Sequence, residues 1–458
     1  MLHTGDAAGL SVLLNFGISV KFCELANKPI RMVSMKDIIK TANSNNGVTN
    51  EELQSILDDV LNEAGKKPLK KILLLPPDFT RMHSGAGKIT AMIYSKLKDT
   101  VQVDIMPALG THDPMSREQI DAFFEGVVPF DKVITHNWRE DVVRIGEVPA
   151  SFVSEVSEGL INNPVPIEIN KRLLDPSYDL ILSIGQVVPH EVVGMANYTK
   201  NLLVGCGGKD TINHSHILGA VFGMERIMGK DHSPVRKVFD YAQEHFLNNL
   251  PLVYILTVTT ASHDVVKIEG VFAGNSRKVF EAAVELSREK NLIWLDKPIQ
   301  KAVVYLDPRE FKSTWLGNKA IYRTRMAMAD GGELIILAPG VKKFGEDENI
   351  DKLIRKYGYK GRENTLKKYN ENADLQENPS AAAHLIHGSS DGRFTITYAV
   401  KHLTREEVEG VGFNYMPYEE AERKYKPEGI TDGYYEGSEE TYFYISNPAL
   451  GLWSVKGK

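Results

Sequence analysis

The sequence predicts an α/β protein: two α/β domains with largely parallel sheets and an active-site cleft between the domains. Short apolar runs that stop at proline or glycine, such as residues 72–75 and 180–184, are typical of buried strands. Segments with helical periodicity lie between these runs, and this alternation is typical of a largely parallel sheet. The chain has 458 residues, which is too long for one ordinary hydrophobic core.

The elements of the first half can be read in order. Thr49 and Glu52 have the spacing of a capping box and predict a helix that ends at Gly65. The predicted elements that follow are a strand at 72–75, a helix at 88–99, a strand at 101–105, a helix opened by the capping box of Ser116 and Gln119, and a strand at 180–184.

After about residue 250, two β-rich runs at 252–260 and 265–272 end the first unit, and we place the domain boundary near Gly274. The elements predicted after this boundary are a helix at 276–290, a strand at 302–306, a helix at 319–329 and a strand at 333–338, which form a second α/β unit. We expect residues 1–31 to be an N-terminal extension, and whether it belongs to the native protein is left open. Residues 32–273 are expected to form the first, cofactor-binding domain and residues 274–458 the second domain. The second domain ends in a polar tail from Arg405 that we expect to wrap the surface, because it contains few aliphatic residues.

Composition excludes several classes of protein. The 54 basic and 60 acidic residues give a net charge of −6, which argues against nucleic-acid binding. No apolar run reaches the ~18 residues that a membrane helix needs, so we expect no membrane span. Cys23 and Cys206 are the only cysteines, too few for a disulfide framework or a thiolate metal cluster. A reducing, cytoplasmic location is therefore predicted.

Polar residues that could bind a ligand follow three of the predicted strands. They lie in residues 77–81, 109–113 and 185–190, and the candidates are Asp78, Thr80, Arg81, His112 and His190. In an open α/β sheet, ligands bind at the carboxyl ends of the strands, so these segments could meet in one crevice. The plainer interpretation is a local ion pair between Asp78 and Arg81 and a structural His112.

A glycine-rich stretch around Lys200 is the densest cluster of candidate residues. Glycines allow backbone amides to approach an anion closely, and a lysine can pair with it or act as a nucleophile, which indicates a phosphorylated cofactor. The alternative is a surface loop with a solvated lysine. Neither a Walker A loop nor a G-x-G-x-x-G fingerprint is present. His214 and His216 could bind a metal through nitrogen, although their spacing is a weak signal.

Taken together, these motifs resemble the lactate racemase family, whose members use a nickel-pincer nucleotide. The resemblance rests on Pro77-Asp78-x-Thr80-Arg81, Gly110-Thr111-His112, and Pro189-His190 followed by Lys200 and His216. It covers the chain from about residue 70 to about 340 and implies a 2-hydroxy acid racemase or epimerase. Hydrogen would leave C2 as hydride and return to the opposite face of a 2-keto acid intermediate.

The resemblance also implies a role for each residue. These roles are covalent attachment of the cofactor for Lys200, nickel binding for His216, acid and base catalysis for His112 and His190, cofactor binding for Asp78 and Thr80, and substrate binding for Arg81, Tyr322 and Arg323. The expected partners are a small 2-hydroxy acid and the enzymes that make the cofactor. Nucleic acid and membrane are not expected.

The sequence departs from the family on its substrate side. The family has Tyr-Gln and then Lys three residues further on, and we align Tyr322-Arg323-Thr324-Arg325-Met326 there, which replaces the glutamine and the lysine. The tryptophan expected beside lactate has no counterpart in residues 378–383. We therefore expect a larger polar substrate, an aldonate such as gluconate. The alternatives are a short-chain, lactate-like racemase, a zinc-dependent hydrolase or lyase that uses His214 and His216, and a non-catalytic binding protein.

Overall fold

Two mostly parallel six-stranded sheets form the framework of the molecule. The computed structural model describes residues 33, 35–65, 68–262, 265–437, 440–449 and 451–456. Helices cover both sheets, so the predicted α/β fold class is confirmed. The expected extension at residues 1–31 lies outside the described residues.

The first sheet carries the candidate site. Its strands, in spatial order, are β1 (Ile38–Thr41), β10 (Val265–Gly274), β9 (Leu252–Ser262), β6 (Leu180–Gln186), β2 (Lys71–Leu75) and β3 (Gln102–Ile105). The strands from β9 to β3 are parallel, and β10 and β1 add an antiparallel edge. The chain runs from β2 to the edge strand β3 and returns to β6 on the other side of β2. This reversal creates the crevice at which α/β sheets bind ligands.

The second sheet is parallel apart from one edge strand. Its strands, in spatial order, are β15 (Asn414–Pro417), β14 (Thr395–Val400), β13 (Met328–Ala338), β12 (Ile299–Tyr305), β17 (Thr441–Ile445) and β16 (Gly433–Glu436). Smaller two-stranded pairs are β4 (Val142–Val148) with β5 (Val165–Asn170), β7 (Pro189–His190) with β8 (Gly194–Met195), and β11 (Leu292–Leu295) with β18 (Leu452–Val455).

The helices lie on both faces of the sheets. Their bounds are α1 Asn50–Ala64, α2 Ala86–Leu97, α3 Arg117–Phe123, α4 Ala150–Val156, α5 Lys209–Phe222, α6 Met224–Ile227, α7 Pro234–Ala242, α8 Arg277–Asn291, α9 Thr314–Gly317, α10 Lys319–Thr324, α11 Glu348–Tyr357, α12 Arg362–Glu371, α13 Ala373–Gln376, α14 Pro379–His387, α15 Arg405–Gly410 and α16 Tyr418–Tyr425. Both predicted capping boxes are present, at Thr49 and Ser116. None of the helices in the described residues is both long and apolar enough to cross a bilayer.

The polar tail is not a surface wrap, which corrects the prediction. Strand β17 lies inside the second sheet, between β12 and β16, and Trp453 of β18 is 1% exposed. Aromatic rings bury this segment, since Tyr442, Phe443 and Tyr444 are all buried. A prediction based on the number of aliphatic residues therefore misses the burial of this segment.

The domain boundary near residue 274 stays a prediction. Strand β10 ends at Gly274, but helix α8 still buries Val279 and Phe280 in the core of the first sheet. The second sheet begins only at β12. On packing, we propose that the two units meet between residues 292 and 298.

Candidate active site

A cavity of about 160 Å³ lies between the two units, at the carboxyl ends of β2, β3 and β6. The sequence-predicted residues on its wall are Asp78, Thr80, Arg81, His112, His190, Lys200, His216 and Tyr322. The second unit adds residues from α9, α10 and α14 to the wall. The expected cleft between the domains is therefore present, and it brings together residues more than 240 positions apart in the sequence. The role of each residue remains a prediction.

Asp78 and His112 form a close pair. The proline turn after β2 leaves Asp78 at the start of a short 3-10 turn, Phe79–Ser84, and there its Oδ1 accepts hydrogen bonds from Thr80 N at 2.8 Å and Thr80 Oγ1 at 2.5 Å. Its Oδ2 lies 2.5 Å from Nδ1 of His112. Burial raises the pKa of Asp78, but His112 and Arg81 outweigh it and hold that pKa well below its usual range. The predicted cofactor ligands Asp78 and Thr80 thus bind each other, and Asp78 also orients His112.

Lys200 follows a strained loop that one buried arginine holds together. Asn197 and Tyr198 have φ angles of 62° and 55°, in the left-handed region. Arg236, which is fully buried, donates to the carbonyl oxygens of Met195 at 2.6 Å and Asn197 at 3.1 Å, and to the hydroxyl of Thr199. The loop therefore delivers Lys200 to the cavity in a fixed orientation.

Replacing Arg236 with methionine is expected to destabilise the protein by about 3–5 kcal/mol, because three loop acceptors would lose their donor in a buried setting. The loss of stability should appear as a lower midpoint in urea unfolding. Lys237→Met, at the exposed neighbouring position, serves as the control. An unchanged midpoint for Arg236→Met would contradict a structural role of the guanidinium.

The amine of Lys200 is suited to nucleophilic chemistry. Burial lowers its pKa to about 8, and the positive charge of Arg81 acts in the same direction. An amine with such a pKa is largely unprotonated at mildly alkaline pH, which is the form that attacks an electrophile. A lysine in water would keep its proton at that pH.

His216 has the hydrogen-bonding pattern of a metal ligand. Its Nδ1 donates to the carbonyl oxygen of Ile212 at 2.7 Å, one turn earlier on α5. This bond leaves Nε2 without a proton, as metal-binding histidines require. Burial also lowers the pKa of His216 to about 4, so the ring stays neutral.

His214 does not join His216 in the cavity. The two residues are two positions apart on a helix and therefore point in different directions. Nδ1 of His214 donates to Asp210, and this ring is not part of the cavity wall. The possible histidine pair for zinc is not assembled in the structure.

The glycines before α5 serve packing and do not form a phosphate cradle. A Cβ on Gly205 would lie 2.6 Å from Cβ of Ala108, and one on Gly208 would lie 2.3 Å from Oε2 of Glu168. The same carboxylate accepts a hydrogen bond from the amide of Asp210 at 2.9 Å. Glu168 therefore occupies the helix N-terminus that an anion would otherwise use. The sequence interpretation of this cluster as an anion site is therefore not supported at Gly208, whereas Gly205 lines the cavity.

The substrate side of the cavity differs from the sequence alignment. Tyr322 lines the cavity, whereas Arg323 is not part of its wall and donates to the carbonyl oxygen of Gly451 at 3.2 Å. Trp315 and Lys319 do line it. The family pattern has an aromatic residue followed four positions later by a lysine, and Trp315 and Lys319 have this spacing. They lie seven residues before Tyr322 and Met326, the two positions that were aligned from sequence.

The inference that the pocket has lost its lysine is therefore revised, because Lys319 lines the cavity, whereas residues 378–383 still contain no tryptophan. The indole of Trp315 packs against His384 with ring centroids 4.4 Å apart. Nζ of Lys319 is buried and lacks a hydrogen-bond partner among the described residues, with Glu310 at 3.6 Å as its counter-ion. Burial lowers the pKa of Lys319 to about 8, and Arg81 adds to this effect.

Further polar wall residues that the sequence analysis missed include Glu191, Ser380, His384 and His387. Nε2 of His387 is buried without a hydrogen-bond partner in the part of the chain that the structure describes. His384 and His387 share one face of α14 by their i, i+3 spacing. That spacing is also common in structural helices, so only the packing of α14 against α5 reveals their place.

Comparisons with known proteins agree with this fold. Residues 16–227 match the family model described as the lactate racemase N-terminal domain. A crystal structure of a protein from Thermotoga maritima is similar with a TM-score of 0.77 and 23% identity, covering 91% of this chain and 100% of that chain. The lactate racemase apoprotein from Thermoanaerobacterium thermosaccharolyticum is similar with a TM-score of 0.65 and 18% identity, covering 93% and 96%.

At these identities the two solved structures show the fold alone. No curated protein was found to match the sequence. The N-terminal match contains β2, β3 and β6 together with His112, His190, Lys200 and His216. Over residues 16–227, somewhat less than half of the chain, the protein matches the lactate racemase N-terminal domain, and the resemblance found in the sequence is confirmed there.

Proposed function

We propose that this protein is a nickel-pincer nucleotide-dependent racemase or epimerase that inverts C2 of a 2-hydroxy acid through a 2-keto acid. The observation that carries the proposal is the placement of Lys200 and His216 on one cavity wall. A lysine whose pKa is lowered to about 8 and a histidine with a free Nε2 suit covalent attachment and nickel binding, respectively.

The residues present fit this cofactor. Lys200 would hold the nucleotide through a thioamide, and His216 would supply the protein ligand to nickel. When bound, the group provides a hydride acceptor at its pyridinium ring. Sulfur ligands would come from the cofactor, in keeping with Cys206, whose thiol is buried and whose pKa is raised to about 12 by burial.

The chain's own residues would bind the acid and move its hydroxyl proton. Arg81 forms no ion pair among the described residues, and it lies on the wall close enough to lower the pKa of both Lys200 and Lys319. Arg81 and Lys319 are two cations that are suited to hold the carboxylate of the substrate. Nε2 of His112, opposite the Asp78 contact, can accept the hydroxyl proton as C2 becomes a carbonyl carbon.

We further propose that the substrate is an aldonate such as gluconate. Glu191, Ser380, His384 and His387 give one side of the cavity hydrogen-bond donors and acceptors that suit the hydroxyls of a sugar acid. The cavity shares Asp78, Thr80, His112 and Leu316 with a cleft of about 1100 Å³, which leaves room for a longer chain. Because Trp315 lines the same cavity, a short-chain, lactate-like acid is the second candidate substrate.

A zinc hydrolase or lyase is less well supported. His214 lies outside the cavity, and the one three-residue metal group found in the described residues, Asp231, His232 and Glu281, has Arg277 and Arg288 paired with Asp231. We also propose a cytoplasmic location and dependence on separate cofactor-making enzymes.

Isotope retention tests the proposed reaction. The protein, isolated from a host that makes the cofactor, is incubated separately with D-gluconate and D-lactate that carry deuterium at C2. We expect the epimer of gluconate to keep its deuterium, because hydride returned from a cofactor does not exchange with water. Protein from a host without the cofactor genes is the control. Deuterium lost to water would contradict hydride transfer, and turnover of lactate alone would contradict the aldonate.

A further inference from the structure

The two histidines at the cavity have different hydrogen-bond partners on Nδ1. Oδ2 of Asp78 can only accept, so Nδ1 of His112 carries the hydrogen and its Nε2 is bare. The backbone N–H of Val192, by contrast, donates to Nδ1 of His190 at 3.1 Å. Neutral His190 therefore carries its hydrogen on Nε2. The rings rest in opposite tautomers.

The tautomer of His190 has a chemical consequence. A neutral imidazole that gives up its Nε2 proton to a substrate oxygen becomes an imidazolate unless Nδ1 also carries a hydrogen. The amide of Val192 cannot accept that hydrogen. Proton transfer at Nε2 of His190 therefore needs an acceptor beside Nδ1, as Asp78 provides for His112.

Glu191 lies where such an acceptor is needed. Its Oε2 is 3.7 Å from Nδ1 of His190, and 18% of its side chain is exposed. Burial raises the pKa of Glu191, but the charges of His190 and Arg323 outweigh it, so the pKa lies well below its usual range. The carboxylate therefore stays ionised at neutral pH.

Tyr322 and Arg323 interact electrostatically with this carboxylate. Burial raises the pKa of Tyr322 well above its ordinary value, and a side-chain hydrogen bond with Glu191 adds to the effect. Arg323 is 3% exposed and interacts electrostatically with Glu191. Both were predicted from sequence to bind substrate, and both also interact electrostatically with the carboxylate of Glu191.

We propose that Glu191 is a positioning residue: when Nδ1 of His190 takes up a proton from the medium and the ring becomes an imidazolium, Glu191 accepts a hydrogen bond from Nδ1, as Asp78 does for His112. The imidazolium can then give its Nε2 proton to a substrate oxygen and remain a neutral ring with hydrogen on Nδ1. The cavity wall then has two carboxylate and histidine pairs, one closed at 2.5 Å and one open at 3.7 Å. In each pair the carboxylate stabilises the imidazolium while a proton moves between Nε2 and the substrate oxygen. This inference rests on the proposed function.

Nitrogen NMR of histidine-labelled full-length protein, prepared without cofactor, tests the tautomers directly. We expect hydrogen on Nδ1 of His112 and on Nε2 of His190, with each ring assigned by its glutamine variant. The charged groups that face His190 are Glu191, Lys200, Arg81 and Arg323. Acid titration should charge His190 at a lower pH in Glu191→Gln than in wild type, because the facing negative charge is gone.

Kinetics of the cofactor-loaded enzyme test the role of Glu191. We expect Glu191→Gln to lower kcat by about 10²–10⁴-fold with KM nearly unchanged, since acid and base catalysis typically contributes that much. Glu191→Asp should recover part of the loss. Glu225→Gln, which removes a carboxylate paired with Arg325 outside the cavity, is the control.

Two outcomes would overturn the proposed role of Glu191: equal acid titration of His190 in wild type and Glu191→Gln, or an unchanged kcat in that variant. Hydrogen on Nδ1 of resting wild-type His190 would overturn the assigned tautomer. Thermal unfolding of each variant separates a folding defect from a catalytic one. If the loaded wild type turns over no 2-hydroxy acid, the proposed function fails, and the spectra still decide on the tautomers and on the effect of Glu191.

Discussion

Lys200→Ala is expected to abolish both covalent cofactor attachment and activity. The variant lacks the amine that would form the thioamide, and the lysines nearby cannot replace it. Lys319 comes from the second unit and faces Glu310, while Lys209 is exposed at the start of α5. We expect activity to fall below detection rather than by a modest factor.

Intact-mass measurement and metal analysis check this result. Wild-type protein from a host that makes the cofactor should show a mass increment that maps to Lys200, together with bound nickel. Lys200→Ala should show neither, and Lys209→Ala should match wild type. We expect the alanine variant to fold, because the Lys200 amine forms no hydrogen bond in the described residues and its burial disfavours the charged form.

The reactivity of Lys200 should also depend on pH in a specific way. Its pKa is lowered to about 8 by burial and by Arg81, so the neutral amine becomes the major form as the pH rises through 8. Acylation of Lys200 in cofactor-free protein should therefore have a midpoint near pH 8, with less reaction below it. An unmodified Lys200 in active enzyme, or zinc in place of nickel, would contradict the proposed function.

Local sequence signals predicted the first unit well. The capping boxes at Thr49 and Ser116 depend on residues three positions apart, and the apolar runs of β2 and β6 need only their own side chains. Polar residues directly after β2, β3 and β6 share one sheet edge because parallel strands end on the same side. For this reason, the cluster of Asp78, His112 and His190 could be predicted from the sequence.

The substrate side could not be predicted in the same way. Trp315 and Tyr322 are seven positions apart, about two helical turns, so an aromatic residue at either position presents a similar face. The predicted helix at 319–329 ends at Thr324, and β13 begins at Met328. Packing between α5 and α14 places the α14 histidines at the cavity, and α9 and α10 bring Trp315 and Lys319 to it. No short sequence window contains that information.

Substitution of His112 has the second large expected effect. His112→Gln keeps a polar group of similar reach but cannot accept a proton, so we expect kcat to fall by about 10²–10⁴-fold. KM should change little, because Arg81 and Lys319 rather than His112 are placed to hold the carboxylate. Initial rates over a range of substrate concentration separate the two constants. A raised KM with normal kcat would assign His112 to binding instead.

His214→Gln is the matched control for His112→Gln. The variant also distinguishes the proposed hydride transfer from zinc-dependent catalysis. His214 shares α5 with His216, but its ring bonds to Asp210 outside the cavity. A hydride-transferring racemase needs only His216 on this helix and should keep its full rate in the variant. A zinc enzyme built on both histidines would lose its metal and its activity. Loss of activity in His214→Gln together with a normal rate in His112→Gln would therefore overturn the assignment of the acid and base.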